Sequence, residues 1–195
     1  MSYDYHIVLA LIGAIIGLLS FVPYFRDILN RSIKPHVFSW FVWSMLTGIT
    51  FLIQVAEGGG IAAWVTGLES LCCFSVTVFA YTRGEKHITA FDWVCLTCAL
   101  IAIVLWQVAH QPLLAVVFLV CADAFGFIPT LLKSLRNPEE ETAAQYAMSA
   151  MRWFLGTAAL QSLTLTTFLY PAWAGGLDIV LVLVLLIRRW QLKRA

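Results

Sequence analysis

The chain has 195 residues, of which 61% are hydrophobic and 12% charged, with a formal net charge of +1. Soluble domains carry about 25% charged residues, so this composition, with a mean hydropathy of +0.86, excludes an ordinary soluble domain and points to a polytopic membrane protein. The near-zero net charge, with basic residues dispersed over loops, gives no footprint for nucleic acid.

Seven apolar segments follow one another, each near the 20 residues that a bilayer requires. They cover roughly 6–28, 37–56, 61–82, 89–109, 112–133, 142–164 and 170–188. No Lys or Arg precedes the first, which also carries Asp4 and His6 near its start, so it does not read as a cleavable signal peptide. The breaks are chemical: a basic stretch ending at Pro35, the glycines 58–60 after Glu57, a polar turn at Arg83–His87, the His110-Gln111-Pro112 turn, and Lys133–Glu141 with Asn137-Pro138 and three glutamates. The last break, Thr164 to Thr167, is short and uncharged.

Eleven of the twelve basic residues fall in alternate loops and the tail: Arg26, Arg31 and Lys34; Arg83 and Lys86; Lys133 and Arg136; Arg188, Arg189, Lys193 and Arg194. The intervening loops hold none. By the positive-inside rule the N-terminus is expected outside and the C-terminus in the cytoplasm of a plasma (inner) membrane protein, with an odd number of spans.

The twelfth basic residue, Arg152, lies inside the sixth segment, and Asp123 lies inside the fifth. With Glu69 and Asp178 they make four ionisable groups near one depth, at about 1.5 Å of rise per helical residue. Charges in a bilayer core are costly and mark pathways or polar networks. Asp123 and Arg152, opposite in sign on consecutive segments, are expected to form a structural ion pair. Glu69 and Asp178 are then left without a counter-charge. They are the candidates for substrate binding or proton coupling, because a desolvated carboxylate either takes a proton or neutralises a cation.

The chain also repeats itself. Trp64, Gly67, Leu68 and Glu69 read W-x-x-G-L-acid, as do Trp173, Gly176, Leu177 and Asp178, 109 residues later. Phe21-Val22-Pro23 answers to Phe127-Ile128-Pro129 at an offset of 106, where Trp40 meets Tyr146. The expected fold is therefore an all-α integral membrane domain over 1–195, with seven transmembrane helices as 3+1+3 parallel repeats: a three-helix unit at 6–82, a linker helix at 89–109 that restores the orientation, and a second unit at 112–190. Parallel repeats about an axis along the membrane normal are a transporter plan with the site at the midplane. Trp40, Trp43, Tyr146, Trp64 and Trp173 are candidates to stack on a solute from both halves; lipid-facing or interfacial rings are the other reading, above all for Trp64 and Trp173, which lie toward the outer side. Pro23 and Pro129 are candidate gate hinges, since each removes a helical hydrogen bond; helix ends are the other reading of the same prolines.

The 3+1+3 layout and the stretch Phe21-Val22-Pro23-Tyr24-Phe25-Arg26, followed by a basic loop and Ser39-Trp40-Phe41-Val42-Trp43, resemble the PQ-loop superfamily, which includes SWEET and SemiSWEET sugar transporters, cystinosin-like carriers and the KDEL receptor. Both prolines of that pattern are present, while Tyr24 and Thr130 stand where the family has Gln. Where SWEET-like carriers place Asn on the third helix of each half, the nearest matches are Glu69 and Asp178. A layout similar to PnuC-type carriers, with their Trp-rich pockets, is also present. The resemblance implies a small-solute transporter working by alternating access on a polar metabolite, cationic or proton-coupled, with a neutral-sugar facilitator and a KDEL-receptor-like receptor or scaffold as alternatives. No nucleophile–base pair points to an enzyme. The five cysteines, including Cys95 and Cys98 at C-x-x-C spacing, read as small packing residues, and neither cofactor nor metal is expected. The partners expected are a small-molecule solute and the lipid bilayer, with homo-oligomerisation open.

Overall fold

In the computed structural model, residues 4–33, 35–84, 88 and 90–193 are described, with the side chains of Phe91, Asp92, Pro129 and Glu140 excepted. Seven α-helices account for most of them: α1 (Tyr5–Leu29), α2 (Val37–Ala56), α3 (Ala63–Arg83), α4 (Ala90–Gln107), α5 (Pro112–Arg136), α6 (Ala143–Ala158) and α7 (Leu165–Leu192). Single 3-10 turns, Gly60–Ala62 and Pro138–Glu140, precede α3 and α6. No β-strand is present among the described residues. Lys34 and Glu85–Thr89, parts of two expected basic or polar breaks, lie outside them.

Five of the helices are long and apolar enough to cross a membrane: α1, α2, α3 together with its leading turn, α5 and α7. The other two, α4 and α6, have 18 and 16 residues. α6 is the clearest departure from expectation, because the apolar segment drawn over 142–164 forms only 16 helical residues, about 24 Å at 1.5 Å per residue. Its chain leaves the helix at Ala159 and runs irregularly to Thr164. Thr164 then caps α7 by accepting from the Thr167 backbone N–H, while the Thr167 side chain accepts from the Thr164 backbone N–H. The seventh helix consequently begins at Leu165, five residues before the expected start, and Thr164–Thr167 is a helix cap and first turn rather than a loop.

Starts elsewhere are also set by side chains. Asp4 caps α1 by accepting from the His6 backbone N–H at 3.0 Å, and the His36 ring accepts from that of Ser39 at the head of α2. Pro112 occupies the first turn of α5, where no helical N–H is lost. Between α2 and α3, Gly58 and Gly60 take left-handed φ angles of 76° and 68°. A Cβ on Gly60 would also overlap the Gln161 side chain, so this turn needs glycine both for its backbone and for the close seat of the α6–α7 connection, whose Gln161 N–H donates to Gly59 O at 3.3 Å.

The packing order is not the chain order. α3 packs against both α1 and α2, and α7 packs against both α5 and α6. The backbones of consecutive α1 and α2 stay apart, as do those of α5 and α6, and α1 reaches α2 through side chains, the Tyr24 and Phe21 rings lying 5.0 and 6.1 Å from that of Trp40. α1 lies along α6, α2 touches α5, and α4 packs on α5 and α2. The α1–α6 approach is close because α1 presents Ala10, Gly13, Gly17 and Ser20, all buried, at alternating three- and four-residue spacing. α4 and α5 share the largest apolar cluster with α2, including Leu46, Ile49, Ile53, Ala99, Ala102, Val116 and Leu119.

Candidate functional site

A polar face on α6 supplies the centre of the site. Gln145, Ser149, Arg152 and Trp153 recur at the spacing that stacks side chains on one side of a helix, and all four are buried. Arg152 is only 1% exposed. Its space exists because Gly17 of α1 has no side chain; a Cβ there would overlap Arg152 Cδ. Arg152 Nη2 lies 3.1 Å from Glu69 Oε1 and donates to Ser149 Oγ at 3.1 Å. Its guanidinium carbon sits 4.0 Å from the centre of the Trp153 ring, a cation–π contact strengthened by burial. Arg152 Nε and Nη1 and Glu69 Oε2 are buried without a hydrogen-bond partner.

The expected Asp123–Arg152 pair is therefore not the pair that forms. The reason is topological. α7 lies between α5 and α6, whereas Glu69 on α3 reaches Arg152 on the α1–α6 side. Asp123 instead lies under the indole nitrogens of Trp43 on α2 and Trp173 on α7, that of Trp173 stopping short of a formed hydrogen bond. Glu69, expected to lack a counter-charge, has one. Ser149 accepts from Arg152, which leaves its own hydroxyl hydrogen free to turn to Asp178. The order Glu69, Arg152, Ser149, Asp178 thus ties α3 to α7 through α6.

Glu69, Asp123 and Asp178 all line one cavity, with Trp40, Trp43, Tyr146, Trp153 and Tyr170 as its aromatic wall and Thr47, Thr130, Gln145 and Ser149 as further polar groups. Its volume is about 80 Å³, small beside the roughly 300–1,000 Å³ of most ligand pockets. Positions related by the sequence repeat meet here: Trp40 with Tyr146, Trp43 with Ser149 and Thr47 with Trp153 at the offset of 106, and Glu69 with Asp178 at 109. At the first offset Asp123 answers to Gly17, so an acid on α5 corresponds to the position on α1 that makes room for the arginine.

Two of the expected aromatic residues take other places. Trp64 is 65% exposed and packs its ring 5.1 Å from that of Phe51, on the wall of an outward-facing apolar groove between α1 and α3; it does not line the cavity. The period of a helix explains this, because Trp64 and Glu69 are five residues apart and so point in different directions. Trp173 stands behind Asp123 and offers its N–H rather than a stacking face. Pro23 lies inside α1, six residues before its end, and the helix runs on past it. Pro129 falls within the range of α5, and its side chain is outside the described residues. Pro171 lies inside α7, next to the cavity-lining Tyr170.

Both ends of the α1–α6 contact are tied. At one, the His6 ring Nδ1 is 3.0 Å from Ala159 O. At the other, Thr142 donates to Asp27 at 3.1 Å, Tyr146 donates from the cavity wall to Glu141 at 2.9 Å, and Lys133 pairs with Glu141 at 3.0 Å. The residues that sequence reasoning passed over, Ser149, Gln145, Gly17 and Tyr170, carry ordinary side chains for a membrane helix. The polar residues around Arg152 signal Gln145 and Ser149, and the repeat, which sets Gly17 against Asp123, signals Gly17.

An all-helical chain whose long apolar helices are those of a multi-pass membrane protein, closed around an acidic and aromatic cavity, is what fold and site define. Comparison of the chain with family models, curated proteins and solved structures finds no match.

Proposed function

We propose that this protein is a small-solute membrane transporter that works by alternating access, with the cavity between two parallel three-helix units as its solute site. The observation that carries the reading is the lining of that cavity by repeat-related positions, above all Glu69 and Asp178. A site shared by two equivalent halves can be exposed to either side by rocking one half against the other. On this reading α1–α3 and α5–α7 are the 3+1+3 repeats, α4 is the linker, and all seven helices span the membrane. The equal lengths of α1 and α5, 25 residues each, and the central place of α3 and α7 among their neighbours support it. The eleven basic residues of alternate loops support an external N-terminus and a cytoplasmic C-terminus. Pro23, inside α1, is the hinge that lets the end tied by Asp27 and Thr142 open.

The PQ-loop resemblance supports the same function and adds no substrate. Three carboxylates in the cavity favour a polar, charge-bearing metabolite over a neutral sugar. The test is uptake by vesicles reconstituted with the purified chain, incubated with a defined mixture of amines, amino acids, nucleosides and hexoses, their contents read by mass spectrometry. At least one solute should accumulate above protein-free vesicles, and Trp40→Ala should abolish that gain. Equal contents in all three preparations would overturn the reading.

A further inference from the structure

We infer that the cavity takes a compact organic ammonium ion, and that Asp123 is the carboxylate that holds it. The inference rests on reading the cavity as a solute site and names the class of solute. Four charged side chains compose the site. Arg152 and Glu69 are paired at 3.1 Å, and Asp178 is reached by that guanidinium through Ser149. Among the described residues no Lys, Arg or His stands at ion-pair distance from Asp123.

Asp123 is nevertheless 93% removed from solvent, at 7% exposure, and it lines the cavity. Only indole N–H groups face it, from Trp43 and Trp173 on two other helices. Neutral donors steady a carboxylate without neutralising it, so the group is completed by a proton or by a cation. A cation in the cavity is the partner that this charge calls for.

A second group points the same way. Gln145 is 4% exposed, lines the cavity, and has its Oε1 without a hydrogen-bond partner. A buried carbonyl oxygen left without a partner on a cavity-lining residue is free to accept from an N–H or O–H of an occupant once the side chain turns to it. The wall holds ring types that attract cations: Trp40 and Trp43, with ring centres 5.3 Å apart and planes at 89°, and Tyr170, edge-to-face with the Trp153 ring that already carries the Arg152 guanidinium. Edge-to-face pairs of this kind present a ring face and a ring edge at one corner, and the faces receive an ammonium group. The volume of about 80 Å³ suits a compact ion.

The test is equilibrium binding to the full chain in detergent, followed by intrinsic tryptophan fluorescence, with choline and tetramethylammonium as probes and 3,3-dimethyl-1-butanol as the neutral isostere of choline. Choline should saturate the signal and bind at least about tenfold more tightly than the alcohol, a gap of about 1.4 kcal/mol by the affinity scale. Asp123→Asn should weaken choline by about tenfold or more, and Asp123→Glu, which keeps the charge, should retain most of the affinity. Equal affinity for choline and its isostere, no saturable signal with either ammonium ion through the millimolar range, or wild-type choline binding by a folded Asp123→Asn would each overturn the inference. Because binding is read without a vesicle, a chain that binds choline and moves nothing would refute transport while leaving the ammonium site standing, and uptake of some other solute without choline binding would do the reverse.

Discussion

Arg152 and Glu69 face each other at 3.1 Å, 83 residues apart in the chain and on helices α6 and α3. Each is buried, and each keeps polar atoms without further partners. Such a pair is far costlier to break on one side than to remove. Glu69→Gln alone should therefore destabilise the fold by about 3–5 kcal/mol, and the double variant Glu69→Gln with Arg152→Gln should recover part of that loss, with a coupling of about 1 kcal/mol or more. Asp123→Asn should show no such coupling to Arg152. Thermal melts in detergent on the two cycles decide it; strict additivity in the first cycle would remove the pair.

Gly17 and Gly13 make a second, sharper comparison. A Cβ at Gly17 would overlap the enclosed Arg152 side chain, whereas one at Gly13 would meet Leu155 Cβ at an ordinary 3.4 Å. Overpacking costs about 1–3 kcal/mol, so Gly17→Ala should lower the melting temperature and Gly13→Ala should leave it nearly unchanged. Equal effects would mean that α1 and Arg152 are not in contact.

At the end of the α1–α6 contact, Tyr146→Phe removes one hydrogen bond to Glu141 while keeping the ring on the cavity wall. The loss should be about 0.5–1.5 kcal/mol in stability. If opening of this end limits turnover, the variant should also raise the uptake rate with little change in the concentration at half-saturation. A lower rate with a raised half-saturation would mean that Tyr146 binds solute instead.

The basic residues of alternate loops predict a C-terminal reporter fusion active in the cytoplasm and an N-terminal tag reached by protease from outside. A cytoplasmic N-terminus would contradict the arrangement of seven spans.

Much of this was legible in the sequence. Helix positions follow from the apolar runs and their breaks, and α2 falls on the expected residues 37–56. The three acids were readable as a set because charges inside apolar runs are conspicuous, and they do share one cavity. Their pairing was not readable. Placing Asp123 opposite Arg152 assumes that consecutive helices touch, and here α7 separates α5 from α6. The clue lay in the repeat, where Gly17 holds the position of Asp123 and so leaves a space the size of a side chain on α1. Trp64 was assigned to the cavity for its place in a motif with Glu69, although five residues of helix turn the two apart. The shortness of α6 was hidden because Leu160 and Leu163 continue its apolar run after the helix has ended.

The central claim, one cavity reached in turn from both sides, is tested most directly by the chemical accessibility of a single cysteine in it. With Cys72, Cys73, Cys95, Cys98 and Cys121 replaced by Ser or Ala, a cysteine at Leu177 or Ala174, both cavity-lining, would be exposed to a membrane-impermeant thiosulfonate added to right-side-out and then to inside-out vesicles. The transporter reading predicts modification from either side in separate preparations. Modification from one side only, however long the exposure, would contradict alternating access.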